Sequence, residues 1–86
     1  MYTDHIILGI HVTDRLQNAV DVQKVFTEYG CNIKTRIGLH DVGDEACGPS
    51  GVVLVEFYGS TDDATSMATK LRAVEGVHVQ HMVFGH

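Results

Sequence analysis

His5-Ile6-Ile7-Leu8-Gly9-Ile10-His11-Val12 alternates along its length. Ile6, Leu8, Ile10 and Val12 fall on one side and His5, Ile7, Gly9 and His11 on the other, so the stretch predicts a strand with one wholly apolar face. Asp14 follows as a helix N-cap, with Gln17 three positions on in a capping-box pattern. Leu16, Ala19, Val22, Phe26 and Tyr29 then recur at helical steps, and Gly30 supplies an expected left-handed stop.

The same plan appears again further along. Ile33 to His40 reads as a second strand burying Ile33, Thr35, Ile37 and Leu39 and presenting Lys34, Arg36, Gly38 and His40. An acidic, glycine-rich loop, Asp41 to Gly51, leads to a third strand, Val52 to Tyr58, with Val53, Val55 and Phe57 toward the core. Ser60 with Asp63 repeats the capping box. Ala64, Met67, Ala68, Leu71 and Val74 form the apolar side of a second helix, and Gly76 stops it. The last strand, Val77 to Phe84, alternates Val77, Val79, His81 and Val83 with His78, Gln80, Met82 and Phe84. Strand, helix, strand, strand, helix, strand is the ferredoxin-like βαββαβ order. Right-handed crossovers make it an α+β fold in which a four-stranded antiparallel sheet has its first and third strands central and both helices on one face.

The chain has 86 residues, 44% of them hydrophobic, which is material for one core and one domain, residues 1–86. Its formal net charge is −5, with six Lys and Arg in all, so it lacks the basic cluster that neutralises phosphates and no nucleic-acid partner is expected. No apolar stretch approaches the ~20 residues of a membrane span and no charged leader opens the chain, so the expectation is a soluble, cytoplasmic protein without a membrane partner. Cys31 and Cys47 flank a predicted strand, roughly 20 Å apart at a rise of ~3.3 Å per residue. That exceeds the reach of a disulfide, and both are expected as free thiols.

With helices on one face only, the other must meet water or a partner. Ile7, Arg36, Leu54, Tyr58, Met82 and Phe84 are the expected ligand or oligomer residues there. Together with Val52 they make that face too apolar for free solvation. The expectation is a homo-oligomer, dimer or tetramer, formed through the open sheet face.

A second candidate site is a metal centre at His40 and Cys47, with His11 contributing and Asp44 or Glu45 completing the shell. Imidazole and thiolate suit Ni, Zn or Fe. Strand order is expected to gather His11, His40, the loop and His86 at one end of the sheet, with His5 and His78 at the other and His81 buried or hydrogen-bonded rather than a ligand. No cofactor identity follows beyond a transition metal. Cys47 with His40 can also be drawn as a thiolate pair for a small enzyme working across a subunit interface. No third orienting group or oxyanion donor accompanies them, so an enzyme is not expected.

Arg36-Ile37-Gly38-Leu39, read with Ser60-Thr61-Asp62-Asp63 and Lys70-Leu71 ahead of Val74-Glu75-Gly76-Val77, resembles the iron-only hydrogenase system regulators. That family is similar to ACT domains and to the C-terminal domain of the nickel-responsive regulator. The resemblance covers nearly the whole chain and implies a ferredoxin-like oligomer that senses a small ligand or a metal. Nickel-responsive regulators carry a ribbon-helix-helix segment ahead of this domain, and none is expected ahead of Tyr2 here. Their metal motif has two His one residue apart before a Cys, where this chain has His40 alone before Cys47. The expected function is therefore a non-enzymatic, oligomeric regulatory or ligand-sensing module of transcriptional-regulator type without its own DNA-binding segment. The alternative is a metal-responsive domain using His40 and Cys47.

Overall fold

The computed structural model describes residues 4–13, 15–40 and 51–85, and within them the side chains other than those of residues 15–19, 39 and 40. The elements run β1 (His5–Val12), α1 (Arg15–Glu28), a 3-10 turn (Gly30–Asn32), β2 (Ile33–His40), β3 (Gly51–Phe57), α2 (Thr61–Arg72) and β4 (Val77–Phe84). The four strands form one antiparallel sheet in the order β2-β3-β1-β4, the α+β ferredoxin-like arrangement.

Alternation in β1 does what its sequence dictates. Ile6, Leu8 and Ile10 are fully buried and Val12 nearly so, against Val55 and Phe57 of β3 and Val77 and Val79 of β4. Val22, Val25 and Phe26 of α1 and Ala64, Met67, Ala68 and Leu71 of α2 close the core from the helix side. Each large side chain so buried contributes about 1.5–3 kcal/mol relative to exposure, an upper figure for a chain whose unfolded state is already partly compact.

α2 is capped as expected. Ser60 is extended (φ −77°, ψ 158°) and its hydroxyl accepts from the Asp63 backbone N–H at 3.0 Å. Asp62 and Asp63 in the first turn and Lys70 and Arg72 in the last complement the helix dipole. Arg72 also donates to the Val79 carbonyl of β4 at 2.8 Å, occupying an acceptor on an edge strand. Lys70 bridges to Glu28 at the end of α1, and the Glu28 carboxylate holds the Lys70 ammonium pKa above its ordinary value.

Three expectations need correction. Gly30 does not stop α1 in a left-handed conformation: the chain continues into the 3-10 turn, and the glycines with positive φ among the described residues are Gly59 (150°) and Gly76 (79°). His81 is exposed, because the core ends before the far half of β4, where Val83 is exposed as well. The third correction is in β2. Its pairing with β3 shifts between Ile33 and Thr35, a bulge that sets Ile33 opposite Phe57 but Thr35 opposite Glu56. One extra residue reverses the alternation beyond it. Arg36 therefore lies opposite Val55 on the helix side, and Thr35 and Ile37 lie opposite Glu56 and Leu54 on the open side. The Asp14 cap and the loop from 41 to 50 lie outside the described residues.

Candidate functional site

The helix-free sheet face is the candidate site. β1 contributes His5, Ile7, Gly9 and His11; β2, after its bulge, Thr35 and Ile37; β3, Val52, Leu54 and Glu56; β4, His78, Gln80, Met82 and Phe84. Ile37 (51%), Leu54 (37%), Met82 (55%) and Phe84 (51%) remain exposed, and Tyr58, one residue beyond β3, is 51% exposed. Of the six residues expected on this face, Ile7, Leu54, Met82 and Phe84 share it. Tyr58 lies at its β3 end, where its N–H donates to the Asn32 carbonyl at 2.6 Å. Arg36 is not part of it. Its guanidinium covers the Phe26 ring at 4.4 Å and reaches Gln23 Oε1 at 3.5 Å, both on α1. Thr35 and Ile37 take its place, and the alternation of β2 alone could not reveal them because the bulge lies inside the strand.

Gly9 sits at the centre of the face, between Leu54 and Gln80. A methyl group built there would meet Gln80 O at 3.8 Å and Leu54 Cδ2 at 3.9 Å, ordinary contacts, so the missing side chain leaves a dip rather than relieving a clash. Shallow hollows surround it. One of about 300 Å³ is lined by Gly9, His11, Val52, His78 and Gln80, and one of about 250 Å³ by Ile7, Gly9, Leu54, Gln80, His81 and Met82. A third, of about 200 Å³, includes Ile7, Thr35, Ile37 and Leu54. At the far end His5 Nδ1 stands 3.6 Å from Glu56 Oε2. A larger hollow of about 570 Å³ opens on the outer side of α1 beside Val20, Gln23, Lys24 and Thr27. Its described lining has no acid–base pair and no metal-ligating cluster, which leaves the sheet face the stronger candidate.

The metal set expected from sequence is only partly within the described residues. His11 is on the open face, opposite Val52 and His78. His40 stands opposite Gly51 at the end of β2, with β3 between it and His11. Cys47 lies outside the described residues, and Cys31 is an exposed free thiol. Among the described residues no group of three or more His, Cys, Asp and Glu could hold a metal ion. The expected ends of the sheet also need correction. β4 runs antiparallel to β1, so His78 is the direct partner of His11, while Phe84 at the end of β4 pairs with His5. No described helix is long and apolar enough to cross a membrane.

No protein-family model matches this chain. No curated protein matches it either. Solved structures do share its fold. An uncharacterized protein from Thermotoga maritima superposes with a TM-score of 0.81 at 21% identity, over 96% of this chain and 100% of its own. A formyltetrahydrofolate deformylase from Pseudomonas putida KT2440 superposes with a TM-score of 0.60 at 17% identity, over 95% of this chain but 29% of the deformylase. At these identities the likeness is one of fold, and the chain has the ferredoxin-like, ACT-like βαββαβ architecture.

Proposed function

We propose that the protein is a non-enzymatic regulatory module that assembles with further copies of itself through its helix-free sheet face and senses a small ligand there. The observation that carries this reading is the exposed row of Ile37, Leu54, Met82 and Phe84 across three strands of that face. Such a patch favours a partner because burying it removes apolar surface from water at about 25 cal/mol per Å². The resemblance to hydrogenase system regulators supports a regulatory role. That a stretch of this fold makes up part of a deformylase chain supports a module over a complete enzyme.

Sedimentation velocity at tens of micromolar tests the reading. The wild-type chain is expected as a dimer or tetramer and Leu54→Asp as a monomer of unchanged circular dichroism. A wild-type monomer at that concentration would overturn it.

A further inference from the structure

His11 and His78 are direct Cα partners across the β1–β4 pair, and their imidazole centroids lie 6.1 Å apart with the ring planes inclined by 33°. From this geometry we propose that the two imidazoles form a divalent transition-metal site on the open sheet face, distinct from His40 and Cys47. Metal–imidazole bonds are about 2.0–2.1 Å, so two rings on one tetrahedral ion hold their centroids about 5 Å apart, and the observed 6.1 Å lies about 1 Å wider than that spacing. Both side chains are exposed and free to change rotamer, which is the movement that brings the rings to a common ion.

The surroundings favour the same conclusion. Two residues beyond the pair, Thr13 donates from both its backbone N–H (2.9 Å) and its hydroxyl (2.8 Å) to the Gly76 carbonyl, pinning the two strands together close to the histidines. A strand pair held in this way keeps the rings in register, which lowers the ordering cost of chelation. Gly9 contributes no side chain beside them, and the hollow of about 300 Å³ that it opens leaves room for an ion and its waters, with Gln80 on the wall. On β1, β3 and β4 the face carries no Lys or Arg to repel a cation, and the chain as a whole has a formal charge of −5. Neutral imidazole selects borderline ions such as Zn²⁺, Ni²⁺ or Cu²⁺ over Mg²⁺ or Ca²⁺. Water completes the shell of a single chain, so the site does not require the assembly proposed above.

The test is Zn²⁺ titration of the chelator-treated full chain by calorimetry, with the imidazole signals followed by NMR. His11→Asn and His78→Asn are each expected to weaken binding by about tenfold or more, the double variant being no weaker than either single one, since loss of one ligand already breaks the chelate. Both side chains are exposed, so the variants keep the fold. In His40→Ala/Cys47→Ser the His11 and His78 signals are expected to shift together on Zn²⁺ addition as in the wild type. Unchanged affinity in both single variants, or no shift of either ring in that control, would overturn the proposal. Sedimentation of the metal-free chain reads the assembly separately.

Discussion

The Arg36 guanidinium lies 4.4 Å above the Phe26 ring centroid, which places a residue expected on the open face against α1 instead. The bulge between Ile33 and Thr35 is the cause. The pairing joins the edge strand β2 to α1 by a cation–π contact, beside the guanidinium's hydrogen bonds to Gln23 Oε1. Arg36→Ala is expected to lower stability by about 1 kcal/mol in urea denaturation, since both contributions are lost. Sedimentation of the same variant should match the wild type, because the substituted side chain is remote from the helix-free face. A shift in assembly with unaltered stability would contradict the placement.

Leu8 is fully buried at the middle of β1, where sheet and helices meet. Leu8→Ala removes three carbons from a site enclosed on all sides and is expected to cost about 2–5 kcal/mol. In a domain of this size each kcal/mol moves the thermal midpoint by about 4–8 °C, so calorimetry should show a large drop.

Gly59 and Gly38 should respond to alanine in opposite directions. Gly59 has φ of 150°, and an added Cβ would sit 3.0 Å from both Asn32 Nδ2 and Phe57 Cε1. The same Asn32 amide donates to the Tyr58 carbonyl at 2.9 Å, so it has little freedom to move away. Gly59→Ala is expected to destabilise by more than about 1 kcal/mol. Gly38 has no heavy atom within 4 Å of its built Cβ and no positive φ, so Gly38→Ala is expected to be neutral or to stabilise by up to about 1 kcal/mol through the unfolded chain. Thermal melts of the two variants check the contrast.

Ser60 accepts the Asp63 N–H that the first turn of α2 otherwise leaves unbonded. Ser60→Ala should cost about 1 kcal/mol and Ser60→Asp should restore most of it, as read by chemical denaturation.

The Lys70–Glu28 bridge predicts a pH dependence at the alkaline end. The folded-state pKa of Lys70 is raised above 10.5 by Glu28, so its contribution to stability is fully present below that value and fades as pH rises through the raised one. Both side chains are about half exposed, which makes the effect small and sensitive to salt. The stability difference between wild type and Lys70→Met should narrow both in strong base and in high salt.

The sequence by itself determined the element order, the fully apolar side of β1, the cap at Ser60 and the buried side of α2. Those features rest on local periodicity and on hydrogen bonds between residues a few positions apart, which neighbouring residues specify on their own. Tertiary structure decided the rest of the site. Alternation in β2 could not disclose the bulge, because the shift is a property of pairing with β3; hence Arg36 went to the helices and Thr35 and Ile37 to the open face. Likewise, no spacing in the chain links His11 to His78, which are brought together by the antiparallel register of β1 with β4. Register is set by how whole strands bury their apolar sides against the helices, and that packing is shared among elements far apart in the sequence.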